Sequence, residues 1–146
     1  MKIAILGFAH GHVSMYCDLW RDRPDLDIQV VAGWDHDAAR LADAAQKRGI
    51  RAYADLNLLL SDSEIEGVVI GAETSMHADV AVAAARAGRK IVLQKPMALT
   101  LVQADAIVAA VEETGVPFTL AWQMLLDPQN LRMKRLLDEG ASAMRA

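Results

Sequence analysis

Along most of this chain a short apolar run is followed by a helix-patterned stretch, a glycine, and another apolar run. That alternation restricts the fold more than any other feature. Strands separated by helices cannot pair as hairpins, so they lie parallel and are joined by right-handed crossover helices. The first run is Lys2-Ile3-Ala4-Ile5-Leu6, closed by Gly7 and followed by a helix from Val13 to Arg21. Ile28 to Trp34 is the second. Ala38, Leu41, Ala42 and Ala45 then repeat at the spacing of one helical face, with Gly49 as the stop. Arg51-Ala52-Tyr53 reads as a short strand, and Asp55 to Leu60 as a short helix. Ser61 to Glu64 has capping-box form but is too close to the next strand to be more than a turn. Gly67 to Ile70 is apolar throughout, as a strand covered on both faces should be. His77 opens a helix carrying Ala78, Ala81, Val82 and Ala85, closed by Gly88. Lys90 to Leu93 and Phe118 to Ala121 are the last two runs. Between them Thr100 to Gln103 forms a capping box, followed by Ala104, Ile107, Val108 and Val111, with Gly115 as the stop. Asp127-Pro128 starts a final helix that ends near Gly140.

With 146 residues the chain is about one domain, and 53% hydrophobic against 23% charged residues is enough for a packed core. A net charge of -4, without basic patches and interleaved aromatics, points away from nucleic acid. No apolar run approaches the roughly 18 residues of a membrane span. The first strand begins almost at Met1, leaving no room there for a signal peptide. Cys17 alone makes no internal disulfide and reads as a small packing residue on a helix. A cytoplasmic protein is the expectation.

In open α/β sheets, ligands sit outside the carboxyl ends of the strands. Four such ends carry distinctive residues. The first is the turn Gly7-Phe8-Ala9-His10-Gly11-His12, where strand, glycine and helix start in succession. Such a turn can aim backbone N–H groups and a helix N-terminus at a phosphate. Only the first glycine of the dinucleotide fingerprint stands. Ala9 and His12 hold the other two positions, and Gly11 lies one residue early, so an ordinary strand-to-helix turn stays open as a reading. The second is Asp35, 24 residues beyond Gly11 and close to the roughly 20 at which an acid accepts the adenosine ribose hydroxyls and repels a 2′-phosphate. Asp35 therefore favours NAD over NADP, and a helix N-cap role is compatible with this. The third is the polar loop Gly71 to His77, with Glu73, Thr74 and His77 as its candidates. The fourth is Gln94-Lys95-Pro96. A lysine at a strand end faces the cleft, where it can handle a proton or polarise a substrate. His10, His12, His36 and His77 match no zinc spacing, so no metal is expected. Trp34 and Trp122 read as packing residues.

Taken together, these sites resemble the N-terminal domain of the Gfo/Idh/MocA oxidoreductases. The resemblance rests on Ile3 to Gly7 with its turn, Asp35, Thr74 to His77, Gln94-Lys95-Pro96 and the stretch Asp127 to Gly140. The family's Glu-Lys-Pro signature stands here as Gln94-Lys95-Pro96. Its Thr-Pro-x-x-His loop is one residue shorter, as Thr74-Ser75-Met76-His77. The resemblance implies a Rossmann-type, doubly wound parallel sheet in three α/β/α layers, with residues 1–121 binding NAD. Residues 122–146 would be a linker and helix leading toward an α/β substrate domain that this chain lacks. Gly7, Phe8, Ala9, His10, Gly11, His12, Asp35, Glu73, Thr74, His77, Gln94 and Lys95 would meet the cofactor, and Lys95 would assist proton transfer from a sugar, polyol or related alcohol. The parent oxidoreductase would be a homo-oligomer. The 146 residues alone would lack turnover, whether as a fragment or a natural half. The alternative is a non-catalytic module that senses a dinucleotide or a sugar. Leu131, Met133, Leu136 and Leu137 give the last helix an apolar stripe, so Leu131 to Ala146 should either self-associate or stay mobile.

Overall fold

The computed structural model describes residues 1–140. Six parallel strands form one sheet: β1 (Lys2–Leu6), β2 (Gln29–Trp34), β3 (Arg51–Tyr53), β4 (Gly67–Ile70), β5 (Lys90–Gln94) and β6 (Phe118–Ala121). Their order is β3-β2-β1-β4-β5-β6. Helices α1 (His12–Asp22), α2 (Ala38–Arg48), α3 (Leu56–Ser61), α4 (His77–Arg86), α5 (Leu101–Thr114) and α6 (Pro128–Asp138) alternate with them. Single 3-10 turns lie at Pro24–Leu26, Thr74–Met76 and Gln123–Leu125. From β1 the chain steps outward through β2 to β3. It then crosses back to β4 and steps outward the other way. Right-handed crossovers in opposite directions put their helices on opposite faces, which makes the three layers of a doubly wound Rossmann sheet.

The strand interiors follow from this. Ala4 and Leu6 enter the larger core with Val68, Ile70, Leu93, Leu59 and the α4 and α5 helices. Ile3 and Ile5 point to the other face, where Val13 and Cys17 of α1 cover them. Cys17 is thus a buried packing residue, and burial pushes its thiol pKa up. Four alanines of α4 (Ala78, Ala81, Ala84 and Ala85) are buried, so the helix lies close to both the sheet and α5. Two of the alanine-rich faces are rotated from the sequence pattern. In α2 the buried residues are Leu41 and Ala44, and Ala38 and Ala42 are exposed. In α5 they are Ile107 and Ala110, with Val108 exposed. Alanine barely distinguishes one face from another, so the larger Leu41 and Ile107 set the rotation.

Asp37, Asp55, Thr100 and Asp127 cap α2, α3, α5 and α6 through side-chain bonds to the first-turn amides. Gln103 reaches back to the Leu99 amide at 3.2 Å, a near relative of the capping box. Among the described residues α6 packs chiefly on the Gln123–Leu125 turn. Trp122, Leu126, Leu131, Met133, Leu136 and Leu137 are exposed apolar residues at this end, so Trp122 does not pack as expected. Ala141 to Ala146, part of the stretch expected to self-associate or move, lie outside the described residues. Among the described residues no helix is long and apolar enough to cross a membrane.

At the centre of the sheet the ends of β1 and β4 nearly touch. Gly7 has φ +90°, and a Cβ on it would lie 2.3 Å from the Ala72 Cα. A Cβ on Gly71 would lie 2.2 Å from Val13 Cγ2. Gly7→Ala therefore combines a left-handed backbone with a backbone clash, and should destabilise the fold by about 2–4 kcal/mol. Gly11→Ala, at φ −57° with open space beside it, should be within about 0.5 kcal/mol. Urea unfolding of the two variants separates them, and equal midpoints would refute this account of the junction.

Candidate functional site

The strand order reverses between β1 and β4, so a crevice opens beyond their carboxyl ends. The Gly7–His12 turn forms one side. Its backbone is held by Gly7 N–H to Trp34 O at 2.7 Å and His10 N–H to Gly71 O at 3.0 Å. Phe8 lies over Gly33, where a Cβ would come within 2.7 Å of the ring, so the turn folds back against β2. Ala9 and Gly11 are exposed residues, and their amides have no acceptor among the described residues. They stand at the start of α1, whose dipole adds positive potential. Free donors and open space over Gly11 fit the diphosphate of a dinucleotide, although two fingerprint glycines are missing.

Lys95 joins this turn from the end of β5. Its ammonium has no hydrogen-bond or ion-pair partner among the described residues, and it is only partly buried. His10 sits near it. Partial burial, then the Lys95 charge, then His12 and His77 hold the His10 pKa below the usual histidine value. Its Nδ1 accepts the His12 N–H at 3.3 Å, which requires that nitrogen to be unprotonated. A neutral imidazole and a free ammonium therefore share one end of the crevice.

Three of the residues expected to meet the cofactor are buried and hydrogen-bonded within the protein. Asp35 is 3% exposed. One carboxylate oxygen accepts the Phe8 N–H at 2.7 Å and Arg40 Nε at 2.7 Å; the other accepts the Asp37 N–H at 2.9 Å and Arg40 Nη2 at 2.8 Å. Its lone pairs are thus taken by the protein, and the cap of α2 is Asp37. His77 is 1% exposed, with Nδ1 2.9 Å from Pro96 O and Nε2 3.1 Å from Ala72 O. It is a strut between the loops after β4 and β5. Gln94 is also 1% exposed. Its amide donates to the Tyr16 hydroxyl at 3.1 Å, and its carbonyl accepts the Lys95 N–H at 3.0 Å. The amide suits this place because it meets one donor and one acceptor at once. Thr74 and Glu73 are partly exposed, at the rim.

Two site residues escaped the sequence reading. Tyr16, one turn after His12, accepts hydrogen bonds from both Gln94 and Gln123, and Gln123 Nε2 lies 3.3 Å from His12 Nδ1. Arg40 binds Asp35 and also Glu73, by Nη2 to Oε1 at 2.9 Å. The Asp35–Arg40 spacing was visible, but nothing in it distinguished this arginine from other surface arginines. Among the described residues no three histidine, cysteine, aspartate or glutamate side chains gather to hold a metal ion. A groove of about 400 Å³ beside Trp20, Ile28 and Arg48 lies at the opposite end of the strands.

A reversing parallel sheet with free amides over its first helix defines a nucleotide-binding Rossmann domain. The family described as oxidoreductase, NAD-binding Rossmann fold, matches residues 1–121. The chain belongs to this Gfo/Idh/MocA family. It is 38% identical over 144 residues to D-apiose dehydrogenase of Paraburkholderia graminis, covering 96% of this chain and 37% of that protein. It is 34% identical over 114 residues to inositol 2-dehydrogenase 2 of Saccharopolyspora erythraea, covering 77% and 34%. Among solved structures, an NAD-binding oxidoreductase from Klebsiella pneumoniae superposes with a TM-score of 0.83 at 26% identity, over 96% of this chain and 39% of that one. The chain spans about a third of the length of the curated relatives it matches.

Asp35 generates a prediction. Burial raises its pKa, but the Arg40 hydrogen bonds and then the Asp37 and Phe8 amides outweigh it, so the net shift is downward. A lowered carboxylate pKa contributes stability that is present above the unfolded value, about 3.9, and is lost as pH falls through the folded one. Asp35→Asn should cost about 2–4 kcal/mol at pH 7, because it leaves Arg40 with a weaker partner. The wild-type advantage should shrink as pH falls below about 4. Chemical denaturation at several pH values measures both, and a pH-independent difference would contradict the assignment.

Proposed function

We propose that residues 1–121 bind NAD as the nucleotide domain of an oxidoreductase acting on a sugar, polyol or related alcohol. The observation that carries this reading is Lys95, an ammonium with no partner among the described residues, at the end of β5 on the crevice where the Ala9 and Gly11 amides also have no acceptor among them. The Ala9 and Gly11 N–H groups would hold the diphosphate, and the loop from Ala72 to Thr74 would border the adenosine half. Bound NAD supplies the hydride acceptor. Lys95 Nζ would donate a hydrogen bond to the substrate hydroxyl oxygen, orienting it and favouring loss of its proton. Gln94 fixes the Lys95 backbone through its own carbonyl, and Tyr16 holds Gln94. The relatives' names, D-apiose dehydrogenase and inositol 2-dehydrogenase 2, support a polyhydroxylated alcohol as substrate.

The carboxylates at the end of β2 support NAD rather than NADP, since they oppose a 2′-phosphate. Residues 122–146 we read as the passage toward a substrate-binding domain. The apolar strip on Trp122, Leu126, Leu131 and Leu137 is the surface such a domain would cover.

Gly11→Asp tests the cofactor reading without disturbing the fold, because the position is open and aspartate is a favoured helix cap. Titration calorimetry should give saturable NADH binding to the wild-type polypeptide, and at least about tenfold weaker binding to Gly11→Asp through repulsion of the diphosphate. Equal affinities, or no binding to the wild type, would overturn it. In the oxidoreductase, Lys95→Met should lower kcat with D-apiose or inositol by about 10²-fold or more, and leave NADH affinity within a few-fold.

A further inference from the structure

At the end of the strands opposite the crevice, the last turns of α1 and α2 flank the start of β2 and leave a groove of about 400 Å³. Cys17 and Trp20 of α1, Ile28 and Val30 at the start of β2, and Ile50 after α2 make its apolar lining. That volume is in the range of small-molecule pockets, which are mostly apolar with a few placed polar groups. The charged residues of the lining are Arg21, Lys47 and Arg48 against Asp27. Asp27 faces the N-terminal ammonium at 3.3 Å, and Arg21 is paired with Asp18 and Asp22. Lys47 is 70% exposed and pairs with Asp43 on its own helix. Arg48 differs, because its side chain is only 18% exposed and is short of partners. Its Nη2 donates to Ser14 Oγ at 2.9 Å. Its Nη1 stands 3.7 Å from Asp18 Oδ1, beyond hydrogen-bond reach, and that oxygen already accepts Arg21 Nη1 at 3.0 Å. Nη1 keeps accessible surface, since Nε is the one unpartnered Arg48 nitrogen that is closed off. A guanidinium carries five N–H donors, and a largely buried one with so few acceptors is costly. A carboxylate in the groove offsets that cost.

We propose that this groove is a binding site for a small apolar carboxylate, separate from the nucleotide crevice. The apolar body lies along Trp20, Ile28 and Ile50, and the carboxylate accepts from Arg48 Nη1. Lys47 adds positive potential at the mouth. An uncharged molecule of the same shape fills the apolar lining but leaves Arg48 as it was, so the site prefers the anion. None of the groove's lining residues belongs to the crevice, and the two sites are therefore occupied independently.

The experiment is titration of the 146-residue chain with 2-naphthoate, followed by proton–nitrogen correlation NMR, with 2-naphthalenemethanol as the uncharged counterpart. Naphthoate should give saturable shifts of the Cys17 amide, the Trp20 indole N–H and the Arg48 Nε–H, and added NADH should leave them in place. Arg48→Met should weaken naphthoate about tenfold or more and leave naphthalenemethanol within about twofold. Lys47→Glu alters an exposed position and keeps the fold, so it decides the matter if Arg48→Met does not fold. It should weaken naphthoate several-fold at low salt and less at high salt. Absence of saturable shifts in the wild type would overturn the site. So would shifts confined to Trp122 and α6, displacement by NADH, or equal naphthoate affinity in the wild type and the folded variants.

Discussion

The structure depends on one close approach of backbone to backbone. β1 and β4 are neighbours in the sheet but far apart in sequence, and their carboxyl ends meet where the chain turns away to opposite faces. Gly7 makes that contact possible, since a Cβ on it would lie 2.3 Å from the Ala72 Cα, and Gly71 leaves room for Val13 of α1, whose Cγ2 a Cβ there would meet at 2.2 Å. The crevice between the two ends exists because the winding reverses there. The groups of the candidate site gather at its rim: the amides of the turn, Lys95, His10, and the Asp35–Arg40–Glu73 cluster.

Around the crevice the protein keeps its polar residues in two roles. Some are buried and fully bonded, and they hold loops in place. Asp35 joins the Phe8 turn to α2, His77 joins the β4 and β5 loops, and Gln94 joins β5 to Tyr16 on α1. Others have no partner among the described residues: Lys95 Nζ, and the amides of the exposed residues Ala9 and Gly11. The division is physical. A buried polar group without a partner is costly, so the interior members are those that found several. The groups left over are available for a ligand. The glutamine in place of the family glutamate fits this scheme, because an amide can serve the Tyr16 hydroxyl and the Lys95 N–H together, without a buried charge.

The order and kind of the elements were legible in the sequence. Apolar runs, capping residues and stop glycines mark local preferences, and each strand falls within a residue of its expected bounds. The Rossmann topology followed from alternation and from the family motifs. Less was legible about which side of each helix is buried. Ala38 and Ala42 were expected inside and lie outside, because alanine contributes too little apolar area to orient α2. At the site, the sequence marked the strand ends but not the state of each side chain there. Asp35, His77 and Gln94 are the kinds of residue that bind ligands, and the sequence alone does not show that the protein's own donors and acceptors occupy them.

What the sequence by itself determined is therefore the set of parallel strands, the glycines at their ends and the lysine beside Pro96, since these follow from local sterics and periodicity. The tertiary structure decided which of the polar residues are spent. Arg40 reaches Asp35 over a single helical turn, but Glu73 reaches the same guanidinium from 33 residues away. Tyr16 meets Gln94 across 78. Hydrogen bonds between distant segments consume lone pairs that spacing alone leaves open, because a carboxylate or amide has only a few, and the fold determines which donors arrive first.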